Sequence, residues 1–289
     1  MKYQHSHHAG NFADVHKHVS LLAVLEALTR KDAPFLFVDT HAGRGIYRAH
    51  DATKADGEAA AGLERLIAAF AGRASAAGAT PIANYLQRVA LLRAELRDPS
   101  ACPGSPWLAA TCLRPDDRAA GFELQAAEHA ALRRALEYFP QFKTDQDDGL
   151  KRLRGLLPPH ERRALVLIDP PYENPRDEQH RVIETLADSL QRFATGVYMI
   201  WFPLKASRDV DHWQHALATL TTRPVLYSQL GIFPLGARSG LNASGLAIVN
   251  PPYRLHEGMA QWLASLHGWL DPDGYGESSL CMLAPRGRN

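Results

Sequence analysis

Asp169-Pro170-Pro171-Tyr172 brings a carboxylate, two prolines and a flat ring to the end of an apolar run, residues 164–168. These residue types can hold a planar nucleobase by its exocyclic amino group. The carboxylate accepts one N–H. Proline, with no N–H of its own and a fixed φ, leaves a backbone carbonyl free to accept the other. The tyrosine ring offers a stacking face worth ~1–3 kcal/mol per base. An aryl amine is a weak nucleophile because its lone pair delocalises into the ring. Two acceptors on its hydrogens favour a pyramidal nitrogen and stabilise the positive charge that develops as it attacks. Asp169, Pro170 and Tyr172 are thus expected to activate the amino nitrogen of a base.

Three further polar groups close apolar runs. Asp39-Thr40-His41-Ala42-Gly43-Arg44-Gly45 follows residues 35–38, Glu123 follows 119–122, and Asp148-Gly149 follows a weaker run around Phe142. The first lacks the full GxGxxG pattern and any Walker lysine, so a phosphate cradle is in doubt. Its glycines would still let backbone approach a ligand closely. Glu123 can accept both hydroxyls of a ribose, or simply end a strand in solvent. Asp148 can accept the amino group of a cofactor's adenine, with Gly149 leaving room for the ring; an ordinary Asp-Gly turn is the alternative.

The first eighteen residues contain His5, His7, His8, His16 and His18, together with Asn11, Asp14 and Lys17. They include no HExxH and no cysteine, and His16 and His18 fall on different faces of a helix. No metal is expected. A segment folded over cofactor and substrate fits better, with Lys17 near a phosphate and His18 near the cofactor. A second proline pair, Asn250-Pro251-Pro252-Tyr253, follows residues 246–249. Its late position favours the end of an antiparallel hairpin over the amine-binding loop.

Such groups need a frame that gathers strand ends. Apolar runs at 35–38, 119–122, around 142, 164–168, 196–201, 224–229, 246–249 and 279–283 predict strands. Helical patterns at 19–28, 125–138 and 177–193 lie between several of them. This alternation predicts an α/β fold, a largely parallel sheet with helices on both faces and ligands beyond the carboxyl ends of the strands. About eighty residues separate the first two strands, where a βαβ unit needs roughly thirty. Residues 53–103 are therefore expected to form a small inserted helical subdomain, with helices at 57–70 and 81–96, and residues 1–52 and 104–289 the main domain.

Composition narrows the classes. With 46% hydrophobic and 22% charged residues, the chain reads as an ordinary globular protein. It has no run of ~18 apolar residues and no apolar leader, so neither a membrane span nor export is expected. Cys102, Cys112 and Cys281 form no CxxC pair, which fits a reducing cytoplasm. A formal charge of +1 argues against non-specific coating of a polyanion but not against a localised site. Lys151, Arg152, Arg154, Arg162 and Arg163 cluster before the 164–168 strand, as a solvated face or as a phosphate track.

The assembled pattern resembles a known family. Its carriers are Tyr3-x-His5-Ser6-x-His8-Ala9-Gly10-Asn11-x-Ala13-Asp14-Val15-x-Lys17-His18, Asp39-Thr40-His41-Ala42-Gly43-x-Gly45, Pro103-Gly104-Ser105-Pro106 and Asp169-Pro170-Pro171-Tyr172-Glu173. With these, the chain is similar to the bacterial 23S ribosomal RNA adenine N6-methyltransferases, over nearly its whole length. The N-terminal block is far more specific than Asp-Pro-Pro-Tyr, which many amino-methyltransferases share. The resemblance implies a Rossmann-like class I methyltransferase domain with a helical insertion, using S-adenosylmethionine and no metal. It implies that His18, His41, Ser105, Glu123, Asp148, Gly149 and Asp169 line the cofactor pocket. It further implies that Asp169 is the catalytic acceptor and that Tyr3, His5 and Lys17 meet the RNA. Position 7 is His where the family is commonly aromatic, and position 16 is His where it is commonly aliphatic. The expectation is a cytoplasmic monomer acting on 23S ribosomal RNA.

Three rivals make different predictions. A DNA adenine or protein glutamine methyltransferase would share the pocket, since the loop recognises a nitrogen rather than a polymer. A metal-dependent phosphohydrolase would use the N-terminal histidines. A non-enzymatic RNA-binding protein would show no cofactor affinity.

Overall fold

A computed structural model describes residues 9–48, 60–71 and 80–284. Its elements run α1 (Phe12–Thr29), β1 (Leu36–Asp39), β2 (Ile46–Tyr47), a π-type turn (Ala60–Glu64), α2 (Arg65–Ala71), α3 (Pro81–Leu96), β3 (Cys102–Pro103) and α4 (Ser105–Ala110). They continue with β4 (Arg118–Phe122), α5 (Ala126–Ala135), β5 (Phe142–Asp145), α6 (Gly149–Leu156), β6 (Ala164–Ile168), α7 (Pro175–Arg192), β7 (Val197–Leu204) and α8 (Ser207–Leu220). The last four are β8 (Val225–Gly231), β9 (Ala243–Val249), α9 (Leu255–Leu270) and β10 (Ser278–Leu283).

Eight strands form one sheet in the order β10-β8-β9-β7-β6-β1-β4-β5. β1 pairs in parallel with both β4 and β6, β4 with β5, and β6 with β7. β9 runs antiparallel between β7 and β8, and β10 antiparallel beside β8. The chain leaves β1 for β4 on one side and later returns to β6 on the other. That places the topological switch between β1 and β6, where open α/β sheets bind ligands.

Period-two alternation divides the central strands between two apolar layers. Phe37, Leu165, Leu167, Val197 and Met199 face the layer built by α1, α3, α4, α5 and α9. Leu36, Val38, Val166, Ile168, Tyr198 and Ile200 face the layer built with α6, α7 and α8. Both faces being covered is why 164–168 reads as an unbroken apolar run.

α1 is the least amphipathic helix, because almost all of it is buried. It starts at Phe12, seven residues before the position that hydrophobic periodicity indicates. Asn11 caps it, its Oδ1 accepting the N–H groups of Ala13 and Asp14, each at 2.9 Å.

The inserted segment closes on itself through the short β2–β3 pair. Those strands are two residues long and escape any pattern search. Leu63 and Leu66, and Ile82, Tyr85, Val89 and Leu92 of α3, join the same apolar layer as α1. Part of the helix expected at 57–70 lies outside the described residues, and what is described there is a π-type turn followed by α2.

The second proline pair sits at the end of the sheet opposite the Asp169 loop. Asn250 follows the end of antiparallel β9, where its Nδ2 donates to the carbonyls of Ala194 (2.9 Å) and Gly196 (2.7 Å). It ties the entry of β7, the strand-terminating role expected of it.

Candidate active site

A cavity of about 330 Å³ opens beyond the carboxyl ends of β1, β4, β5 and β6. Small-molecule sites typically fall at roughly 300–1,000 Å³. Its walls include His41, Glu123, Asp148, Gly149, Asp169 and Pro170, six of the residues singled out from sequence. Phe122, Leu124 and Leu150 make it partly apolar, while Arg181 and Glu178 are wall residues that the strand-end argument passed over.

Thr40 pins the switch point: its Oγ1 donates to the Leu167 carbonyl at 3.0 Å, joining the ends of β1 and β6. The same hydroxyl lies 2.8 Å from His41 Nδ1. Burial pushes the His41 imidazole down to about 4, against the pull of Asp169 and Asp148, so the ring is neutral at pH 7. Glu123 accepts the Gln125 N–H at 2.7 Å, and burial raises its carboxyl.

Asp148 caps α6, its Oδ1 accepting from Leu150 N at 3.1 Å, and its Oδ2 accepts from Arg181 at 2.8 Å. Gly149 also has a close neighbour in the β1 loop. A Cβ there would lie 2.2 Å from the Thr40 carbonyl oxygen, so the missing side chain makes room for that loop. Gly43, at φ +59°, takes the left-handed turn that brings backbone to the wall.

Asp39 and Ser105 form a buried pair behind that wall. Ser105 Oγ donates to Asp39 Oδ2 at 2.6 Å, and the His41 N–H donates to Oδ1 at 3.2 Å. Burial pushes the Asp39 carboxyl up to about 6, with the Ser105 hydrogen bond opposing. Ser105 thus orients the loop through Asp39.

The contact that sequence spacing could not reveal joins α1 to the catalytic loop. Lys17 Nζ lies 2.5 Å from Asp169 Oδ2 and 2.8 Å from Asp14 Oδ1, with side-chain exposures of 3%, 7% and 7% respectively. Asp14 is fixed in turn by the Gly10 N–H at 3.0 Å, and the Lys17 ammonium lies 5.9 Å from the Trp201 ring centre. Burial disfavours the ammonium. The charges of Asp14 and Asp169 and their hydrogen bonds more than offset this and hold Lys17 well above the usual lysine range. The Lys17 side chain is enclosed and its hydrogen bonds go to two carboxylates. Tyr3 and His5 lie outside the described residues, as do His7 and His8.

Two other predicted residues are enclosed. His18 is buried against Tyr85 of α3, ring centres 6.0 Å apart, on the same helix as Lys17. Tyr172 has its ring buried edge-on to Trp201 (5.9 Å) and Trp213 (6.3 Å), and its hydroxyl donates to the Trp201 carbonyl at 2.8 Å. At φ +52° it turns the loop and anchors it, rather than presenting an open stacking face.

His16 is structural. Its Nδ1 and Nε2 each lie 3.0 Å from a serine hydroxyl, Ser244 on β9 and Ser228 on β8. Among the described residues no group of three or more His, Cys, Asp or Glu is arranged to hold a metal. The cluster before β6 is tied down locally: Arg152 lies 3.6 Å from Asp147, Arg154 3.2 Å from Asp188, and Arg163 donates to the Leu28 carbonyl at 2.7 Å.

A family profile described as "RsmJ: Ribosomal RNA large subunit methyltransferase D, RlmJ" matches residues 32–281. The chain belongs to this family. Proteins named "Ribosomal RNA large subunit methyltransferase J" from Escherichia coli (strain K12) and Haemophilus influenzae are each 34% identical over 286 residues, covering 99% of both chains. A crystal structure of a Legionella pneumophila protein superposes with a TM-score of 0.81 at 29% identity, over 96% of this chain and 98% of that one. The family and the topology agree on a class I methyltransferase fold. The profile leaves out α1, so it covers Asp169 but not Lys17.

Proposed function

We propose that the chain transfers a methyl group from S-adenosylmethionine to the N6 amine of one adenine in 23S ribosomal RNA. The observation that carries this reading is Asp169-Pro170 at the end of β6, walling a cavity at the switch point of a family methyltransferase fold. The cavity's chemistry fits the cofactor: Glu123 and Asp148 are acceptors for hydroxyl and amino donors, acidic walls suit a cation, and Phe122, Leu124 and Leu150 suit a ring. S-adenosylmethionine would supply an electrophilic methyl carbon on a sulfonium.

Lys17 occupies Asp169 Oδ2, leaving Oδ1 to accept one N6 hydrogen. The Pro170 carbonyl accepts the other. Together they orient the amine and stabilise its developing positive charge. Lys17, held protonated by two carboxylates, is not the base. His41 is neutral and borders the cavity. Positioning supplies most of the remaining rate, up to ~7–11 kcal/mol in well-aligned cases. The base must leave its stack, at a cost of a few kcal/mol.

The reading includes Tyr3 and His5 as RNA contacts, no metal, and a monomer acting in the cytoplasm. It also includes residues 53–103 as a helical subdomain bracing α1. No helix among the described residues is long and apolar enough to cross a membrane.

Mapping N6-methyladenine in ribosomal RNA from a deletion strain, with and without complementation, tests the proposal. One adenine should lose and regain its methyl group. Labelled methyl appearing instead in DNA or protein would point to the rival methyltransferases.

A further inference from the structure

A second cavity, about 550 Å³, lies on the other side of the catalytic loop. The loop is the partition. Asp169, Pro170 and Pro171 wall the first cavity, and Tyr172 walls the second. The two differ sharply in charge. Glu123, Glu128, Asp147, Asp148, Glu173 and Glu178 line the first, against the single cation Arg181. A strand of phosphates approaching from that side meets repulsion. The second is lined by Arg176 at the start of α7, Lys205 after β7, and Arg208 at the start of α8.

These cations stand out by what they lack. Arginines elsewhere on this half of the molecule, Arg154, Arg181 and Arg192, each reach a carboxylate at 2.8–3.2 Å. Among the described residues Arg176 and Lys205 form no ion pair, and Arg208 comes only within 4.0 Å of Asp209 while 90% exposed. Asp209, the one carboxylate in the wall, is already engaged: its Oδ2 accepts the N–H groups of Lys205 (2.9 Å) and Ala206 (2.8 Å). Gln179 adds a buried side-chain amide nitrogen that has no hydrogen-bond partner. Two cations without an ion pair, a third that is loosely held, and a spare donor form a site for an extended anion.

We propose that this cavity holds the phosphodiester backbone of the RNA strand on either side of the target adenosine. The strand would enter on the basic side and pass the base across the loop to Asp169. This inference rests on the RNA-methylation reading above.

The test uses full-length protein carrying Arg176→Gln, Lys205→Gln and Arg208→Gln together. A second variant, Arg133→Gln, Arg134→Gln and Lys143→Gln, at exposed positions of α5 and β5, controls for the loss of three charges. Fluorescence anisotropy with protein-free large-subunit ribosomal RNA across a salt series gives the binding slope, which changes by roughly 0.7–0.9 for each phosphate no longer neutralised. The triple variant should bind about 10-fold or more weaker at low salt, and its slope should be shallower by about two. Methylation kinetics should show a raised KM for RNA, while calorimetric affinity for S-adenosylmethionine stays at wild type. Arg176→Lys with Arg208→Lys should recover most of the binding. A triple variant with wild-type slope and KM, on a wild-type enzyme that methylates RNA, would overturn the proposal. If wild type methylates no RNA yet the triple variant still loses its salt-dependent binding, the function is wrong and the cavity assignment stands.

Discussion

Replacing Lys17 by methionine removes the one cation shared by Asp14 and Asp169 while keeping the side chain's bulk. Both carboxylates are 7% exposed, so neither can recover its missing partner from bulk water. Breaking a buried ion pair from one side costs about 3–5 kcal/mol, because the remaining charge stays desolvated. At roughly 2 °C per kcal/mol for a chain of this size, Tm should fall by about 6–10 °C. The loss should be present at pH 5 and at pH 8, because Lys17, held well above the usual lysine range, is charged at both. Methyl transfer should fall more than cofactor affinity, since Asp169 loses its orientation while the other cavity walls are untouched. Calorimetric melting at both pH values, with single-turnover methylation, measures these effects. A variant that melts within about 2 °C of wild type at pH 8 would refute the buried-bridge account. So would one that methylates at the wild-type rate.

Gly149→Ala places a Cβ 2.2 Å from the Thr40 carbonyl, backbone against backbone, so α6 or the β1 loop must move. Thermal melting should register about 1–3 kcal/mol of destabilisation, with weaker cofactor binding by calorimetry. Asp39 has its carboxyl raised from 3.8 to about 6 by burial, so its contribution to stability is full below pH 3.8 and lost as pH rises through 6. Asp39→Asn should therefore be more stable relative to wild type at pH 8 than at pH 5, by about 1–2 kcal/mol in denaturant titrations. Tyr172→Phe removes the hydroxyl bond to the Trp201 carbonyl and should cost about 0.5–1.5 kcal/mol in the same titrations. A larger effect on kcat than on stability would show that the hydroxyl holds the loop in its working shape.

The strand ends are legible in the sequence because each closes an apolar run with a turn-forming or acidic residue. That pattern alone gathers His41, Glu123, Asp148, Gly149, Asp169 and Pro170 around one cavity. Roles within the gathering are less legible. The family resemblance matches Ser105 and Gly149 to the cofactor, but nothing in it says that Ser105 bonds Asp39 or that Gly149 makes room for Thr40. Both pairings bridge residues far apart in the chain, which local pattern does not encode. Lys17 and Asp169 are separated by 152 positions. α1 hides its start because a helix buried all round lacks the periodicity that marks a surface helix; Asn11 is the available signal. The basic cavity is invisible for a similar reason. Arg176, Lys205 and Arg208 come from different elements, whereas the five cations adjacent in sequence include several tied to local carboxylates and carbonyls.

Asp169→Ala tests the central claim most directly. It removes the carboxylate from the end of β6 and leaves Glu123, Asp148 and Pro170 in place around the cavity. Asp169→Asn would be less decisive, because an amide still accepts a hydrogen bond. With protein-free 23S ribosomal RNA and labelled S-adenosylmethionine, wild type should place the label on a single adenine N6. Asp169→Ala should bind the cofactor and transfer no measurable methyl. Methylation by Asp169→Ala near the wild-type rate would contradict the account.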